Sequence, residues 1–181
     1  MRQEDKITEK SSLYHHLESK SVGELLEDIN REDHKVADAV KEALPQIEAL
    51  VVEAEKRMKR GGRVFYIGAG TSGRLGVLDA SELPPTFGVP STLVSGLIAG
   101  GDTALRNAVE NAEDMTAQGW ADLQKFEPTA DDTLIGIAAS GTTPYVIGAI
   151  REARAHHMLT GCITSNPSTP LAEASEFPIE T

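Results

Sequence analysis

Residues 63–86, RVFYIGAGTSGRLGVLDASELPPT, constrain this chain more than any other stretch. Val64, Phe65, Tyr66 and Ile67 form an apolar run long enough for a strand buried on both faces. The chain then turns through Gly68, Ala69 and Gly70, and Thr71 and Ser72 place two hydroxyls where a helix should begin. Leu75, Val77 and Leu78 are the apolar residues expected along that helix, and Glu82-Leu83-Pro84-Pro85 is expected to close it. A strand feeding a hydroxyl-rich turn at a helix N-terminus suits an anion, because free backbone N–H groups and the helix dipole converge there. Glu82 lies a short helix away from that anion site and has no evident structural duty.

The same alternation continues downstream. Thr92 to Leu97 reads as a second strand, and Gly100-Gly101-Asp102 as a turn with Asp102 an N-cap. A helix is predicted from Thr103 to about Gly119, with Leu105, Ala108, Val109 and Ala112 on one face. Thr133 to Ala139 is a third strand, ending in a second hydroxyl-rich turn, Ser140-Gly141-Thr142-Thr143, with Pro144 in the first turn of the next helix. Val146, Ile147, Ala149, Ile150 and Ala153 continue that helix. Leu159 to Thr164 is a fourth strand, and Phe177-Pro178-Ile179 begins a fifth. Strands apolar on both faces alternating with helices predict the α/β class, as a doubly wound parallel sheet. Such sheets bind ligands at the C-terminal ends of their strands, where both hydroxyl turns fall.

Upstream of this pattern, residues 1–20 read as a polar arm. His15 and His16 are adjacent and would point to different faces of any helix, which suits a solvated arm rather than a metal site. Ser21 and Glu24 form a capping box that starts a helix carrying Leu25, Leu26 and Ile29. A second helix is predicted from about Arg31 through Val36, Ala39, Val40, Ala43 and Leu44. Pro45 is read as beginning a third, with Ile47, Leu50, Val51, Ala54 and Met58 at helical spacing. Lys56, Arg57, Lys59 and Arg60 complement that helix's C-terminal dipole, and Gly61-Gly62 ends it. The organisation expected is thus residues 1–60 as an arm and helices packing on the domain, and residues 61–181 as the ligand-binding domain.

Composition narrows the partners. A length of 181 residues allows one domain, or one with an appendage. Only 4% of residues are aromatic, so Val, Ile, Leu and Ala must fill the core. A net charge of −11 argues against a nucleic-acid backbone or an anionic membrane as partner, though not against a small anion held by local N–H groups. Cys162 is the single cysteine, which excludes an intrachain disulfide and a CxxC metal site; it reads as a small buried residue. No signal peptide or membrane-spanning run is evident, and a cytoplasmic protein is expected.

Gly68-Ala69-Gly70-Thr71-Ser72-Gly73 formally matches the G-x-G-x-x-G dinucleotide fingerprint. A nicotinamide enzyme would also want an acid at the end of the second strand to hold the ribose, and Gly96-Leu97-Ile98-Ala99 supplies none. The second hydroxyl turn is unexplained by a dinucleotide but natural if two loops share one compact phosphomonoester. Hydroxyl and N–H donors can hold a phosphate dianion without lysine. A sugar phosphate is therefore the preferred ligand.

YIGAGTSGRLGVLDASELPPT, GLIAGGDTALRNAVENAED and GIAASGTTPYVIGAI together resemble the N-acetylmuramic acid 6-phosphate etherases. These are cytosolic bacterial enzymes of the sugar isomerase (SIS) fold that recycle cell-wall sugars. The resemblance runs from about Ile7 to the end of the chain, and implies a flavodoxin-like three-layer sandwich with an N-terminal helical lead-in. The chain is similar, more distantly, to the animal glucokinase regulatory protein, which senses sugar phosphates without catalysis. The etherase resemblance places phosphate recognition on Thr71, Ser72, Ser140 and Thr143, and catalysis on Glu82 and Glu113. The family's usual second loop reads SGRTPY; Thr142 stands where the arginine would be, which removes a cationic partner. Leu83 replaces a usual cysteine. The family also continues beyond the fifth strand through a further helix and a small helical module, so a C-terminally truncated chain of little or no turnover is expected.

The reaction so implied removes a D-lactyl ether from C3 of the sugar. In the ring-opened sugar the C1 aldehyde acidifies the C2 proton; a base removes it, an acid protonates the departing lactate oxygen, and water adds to the unsaturated intermediate. Two carboxylates in opposite protonation states suffice, with no metal and no cofactor. Glu113 is implied as the base and Glu82 as the acid. On a continuous helix Glu113 would flank the buried direction, with Glu110 further round and Asp114 pointing away. Arg74 is read as a surface helix residue and Trp120 as core. SIS domains commonly pair and build sites from both subunits, so a homodimer is expected. A sugar-phosphate-binding regulator without turnover and an aldose–ketose isomerase stand as alternatives.

Overall fold

Five strands, β1 (Val64–Gly68), β2 (Val94–Ile98), β3 (Thr133–Ile137), β4 (Leu159–Thr164) and β5 (Phe177–Glu180), form a single parallel sheet in the spatial order β2-β1-β3-β4-β5 in the computed structural model, which describes residues 6–181. The first five residues of the expected arm lie outside the described residues. Alternate side chains of each strand enter two cores. Phe65 and Ile67 join Leu134, Tyr145, Val146 and Ile150 on one face, while Val64 joins Leu50, Ala54, Ala80, Ile135 and Leu159 on the other. Helices α1 (Val22–Met58) and α2 (Gly70–Phe87) cover the second core. Helices α4 (Gln118–Gln124), α5 (Pro144–Ala155) and α6 (Pro170–Ala174) cover the first, and a short α3 (Gly101–Arg106) follows β2. The doubly wound parallel sheet expected from the apolar runs is the one observed. Leu134 and Ile150 are fully buried, each stabilising the fold by about 2 kcal/mol relative to an exposed side chain.

The helical lead-in differs from the three helices expected. It is one continuous helix of 37 residues. The capping box is present: Ser21 Oγ accepts from the Glu24 N–H at 3.3 Å, and Glu24 Oε2 accepts from the Ser21 N–H at 2.8 Å. Pro45 lies inside α1 rather than at its start. A proline there costs about 3 kcal/mol through a lost hydrogen bond and a ring clash. Burial of Ala43, Leu50 and Ala54 against the sheet, with Ile47 half-buried beside them, outweighs that cost and carries the helix through.

Helix α2 also runs on past its expected end, through Pro84 and Pro85, to a left-handed Gly88 whose N–H donates to Pro84 O at 2.9 Å. Its buried residues are Gly73, Gly76 and Ala80, whereas Leu75 and Leu78 remain 55% and 57% exposed. The close approach explains this choice: a Cβ on Gly76 would lie 2.8 Å from Tyr66 Cβ.

The predicted helix from Thr103 to Gly119 is broken. α3 ends at Arg106, Asn111 takes a left-handed φ of 59°, and a 3-10 turn over Ala112–Asp114 precedes α4. Asparagine tolerates that conformation, and the turn it makes overrides the helical spacing of the apolar residues. Gly100, with φ 87°, is the N-cap of α3 in place of Asp102. Helix α6 was not foreseen, although Thr169 capping the Ala172 N–H at 3.1 Å and Pro170 at the first position are its local signals.

Candidate active site

The strand order reverses direction at β1, which pairs with β2 on one side and β3 on the other. Parallel register sets Gly68 opposite Ile137, so the two hydroxyl turns leave neighbouring strands at the same edge of the sheet. In the first turn Gly70 has φ 54°, a conformation that favours glycine whatever the space around it. The first intrahelical N–H of α2 is that of Gly73, which donates to Ala69 O at 3.2 Å. The N–H groups of Gly70, Thr71 and Ser72 therefore precede the ladder, at the positive end of an 18-residue helix.

The second turn is tightly organised. Gly141, with φ 65°, donates to Ala138 O at 2.9 Å and accepts at its carbonyl from Leu171 N–H at 3.0 Å, which ties the turn to α6. Ser140 Oγ accepts from the Thr142 N–H at 3.2 Å and from Thr142 Oγ1 at 3.1 Å. Thr143 is the N-cap of α5 yet caps no backbone N–H with its side chain, and Pro144 follows at the first helical position. Tyr145 is fully buried and donates to Asp122 Oδ2 at 3.0 Å, locking α5 to α4. Burial, reinforced by the Asp122 charge, pushes the Tyr145 phenol well above its ordinary value, so it stays protonated.

A cleft of about 220 Å³ opens beside the first turn, lined among others by Gly70, Arg74, Val109, Glu110, Asn111 and Glu113. Glu113 reaches it from the 3-10 turn, which packs on α5, and not from a helix face. Arg74 forms a wall of this cleft, with its Nε donating to Leu105 O at 3.1 Å. Thr71, Ser72, Ser140 and Thr143 do not line the cleft itself. Glu82 is exposed on α2, twelve residues beyond Gly70 and therefore about 18 Å along the helix axis. Glu82 does not line the cleft that Glu113 reaches. Glu82 shares the outer face of α2 with the exposed Leu75 and Leu78.

Three residues at this edge escaped the sequence reading. Asn166 is buried and donates through Nδ2 to Ala139 O at 3.1 Å and to Thr8 Oγ1 at 3.0 Å. The Thr8 N–H donates back to Asn166 Oδ1 at 3.2 Å. Lys6 Nζ donates to Thr142 Oγ1 at 3.3 Å. No local spacing in the sequence connects residues so far apart. Trp120 is half-buried against the core and stacks on His156 at 4.5 Å between ring centroids. Among the described residues, no three His, Cys, Asp or Glu side chains cluster closely enough to hold a metal ion.

Residues 44–154, more than half of the chain, match the family model of the glucokinase regulatory protein N-terminal SIS domain. The chain is 68% identical over 175 residues to the N-acetylmuramic acid 6-phosphate etherase of Bacteroides thetaiotaomicron, covering 97% of this chain and 63% of that one. It is 62% identical over 180 residues to the etherase of the same name from Christiangramia forsetii, covering 99% and 66%. The chain therefore spans just under two thirds of the length of these curated relatives. The phosphoheptose isomerase of Francisella tularensis superposes with a TM-score of 0.64 at 23% identity over 86% of each chain, a likeness of fold.

Proposed function

Because the chain belongs to the family of the glucokinase regulatory protein N-terminal SIS domain, we propose that its paired hydroxyl turns hold the phosphate of a sugar phosphate, and that the substrate is N-acetylmuramic acid 6-phosphate. The observation that carries this reading is the departure of both turns from adjacent strands at the topological switch point, with Glu113 in the neighbouring cleft. The identity of 62–68% with etherases supports the choice of substrate. Thr71, Ser72, Ser140 and Thr143 bind the phosphate through hydroxyls and helix N–H groups. Glu113 removes the C2 proton of the ring-opened sugar, and Glu82 protonates the C3 lactyl oxygen as D-lactate departs. Water then adds across the C2–C3 double bond to give N-acetylglucosamine 6-phosphate, so the reaction is that of a carbon–oxygen lyase followed by hydration.

With Glu82 about 18 Å along α2 from the first turn, the acid comes from a second copy of the chain. The exposed Leu75 and Leu78 that share its face supply the apolar contact of a homodimer. In this reading residues 1–60 are an arm and helical lead-in and residues 61–181 the sugar-phosphate domain. A net charge of −11 disfavours nucleic acid and anionic membrane as partners, and the proposed place of work is the cytoplasm. A version of the chain extended to the length of the etherase relatives, incubated with N-acetylmuramic acid 6-phosphate, should release D-lactate and N-acetylglucosamine 6-phosphate in equal amounts. Binding of the sugar phosphate with no lactate released would favour the second reading, a non-catalytic sensor, which the regulatory name of the family model supports. No binding at all would remove both.

A further inference from the structure

The arm that precedes α1 crosses to the C-terminal edge of the sheet, where Lys6 Nζ donates to Thr142 Oγ1 at 3.3 Å and Thr142 Oγ1 donates to Ser140 Oγ at 3.1 Å. Little apolar burial holds the arm there, since Ile7 and Leu17 are 52% and 48% exposed. It is held by Asn166, 1% exposed, which exchanges two hydrogen bonds with Thr8 and a third with the carbonyl of Ala139, next to Ser140. Ordering each backbone residue costs roughly 1–2 kcal/mol, so a polar clamp on an otherwise exposed arm points to a duty for what the arm presents. Among the described residues, Lys6 is the cationic side chain that hydrogen-bonds into a hydroxyl turn, while Arg74 has its Nε bonded to Leu105 O.

We propose that Lys6 is a phosphate-binding residue of this site, with its ammonium group supplying the positive charge that the hydroxyl and N–H donors lack. The inference rests on the sugar-phosphate reading of the two turns. An ammonium adds a full positive charge to its hydrogen bond with a phosphate oxygen, where hydroxyl and N–H donors supply only partial charges. Lys6 thereby sets the preference for a phosphorylated over an unphosphorylated sugar, and makes binding depend on ionic strength. Its contact with Thr142 keeps the ammonium at the turn before the ligand arrives, and Asn166 fixes how far the arm reaches.

Titration calorimetry of the 181-residue chain with N-acetylglucosamine 6-phosphate and with N-acetylglucosamine, at low and high salt, tests this. Lys6→Met should weaken binding of the phosphorylated sugar about tenfold and flatten its salt dependence, whereas Lys6→Arg should stay within about threefold of the parent. Thermal midpoints of the variants should match the parent, because Lys6 lies outside both cores. Parent-like binding by Lys6→Met overturns the proposal and leaves the sugar-phosphate reading standing. Weakened binding with an unchanged salt slope also overturns it, since the arm would then act by shape. A parent chain that binds neither sugar overturns the sugar-phosphate reading, and the role of Lys6 falls with it.

Discussion

Ser140 accepts two hydrogen bonds from Thr142 at its Oγ, which holds the oxygen in place at the head of α5. Ser140→Ala should weaken sugar-phosphate binding by about 1.5–3 kcal/mol, the loss of one hydrogen bond to a charged group, measured by titration calorimetry. Gly141→Ala is expected to be far more damaging: a Cβ there would lie 2.3 Å from Thr169 Cβ, at a φ of 65°. It should cost more than about 2 kcal/mol in urea unfolding and abolish binding as the turn shifts. In a version extended to the length of the etherase relatives, the acid and base should separate in deuterated solvent. Glu82→Gln should stop lactate release while C2 proton exchange continues, and Glu113→Gln should stop both; equal loss of exchange would contradict the assigned roles. At this scale the hydroxyl turns were legible, because each is a contiguous motif between an apolar run and a helix. Lys6, Thr8 and Asn166 were not, because the Lys6–Thr142 contact joins positions 136 residues apart. Thr142 was legible as the loss of a cation from the loop; that a lysine comes to its hydroxyl from the arm was not.

Helix α1 divides functionally at its middle. Its buried residues are Ala43, Leu50 and Ala54, while Val22, Leu26, Ile29 and Val36 are 58–73% exposed. The first half is held by its capping box, by pairs such as Glu32–Lys35 at 2.6 Å, and by the arm, where Tyr14 donates to Glu32 Oε1 at 2.5 Å. Ser21→Ala should therefore destabilise that end by about 1 kcal/mol yet leave global unfolding nearly unchanged. Hydrogen exchange would register faster exchange confined to residues 22–35; a shift of the whole urea transition would mean that this half contributes to the core. Element boundaries followed the sequence where burial and propensity agree, as at β4, read in full from its apolar run. They failed where tertiary contacts decide. Pro45 is carried through by packing on the sheet, and the helix expected around Glu113 breaks at Asn111. Glu113 consequently meets the cleft from a turn, which helical spacing had no means to anticipate.

Two predictions concern the molecule as a whole. Asp132, 1% exposed, joins the entry to β1 to the loop before β3 through Arg63 at 2.7 Å and the Thr129 N–H at 2.8 Å. Burial alone would raise its carboxyl, but hydrogen bonds from Arg63 and Thr129 overcome that and hold it below the usual carboxylate range. Its folded-state value is depressed, so its stabilisation is present above the unfolded value of about 3.9 and is lost as pH falls through the folded one. Urea midpoints of Asp132→Asn should accordingly vary less below pH 4 than those of the parent. The second prediction follows from the reach of α2. Glu82 stands about 18 Å along that helix from the first turn and does not line the Glu113 cleft, so the proposed site draws the two glutamates from two copies. Glu82→Gln and Glu113→Gln chains extended to the length of the etherase relatives, each inactive alone, should then complement when dissociated together and reassembled. In a mixed dimer one site holds both glutamines and the other holds both glutamates. Random reassembly makes half of the dimers mixed, with one sound site of two, so lactate release should recover to about a quarter of the parent's. Mixed samples as silent as the separate variants would show that the glutamates act within one chain or not together, and the dimeric site would have to be abandoned.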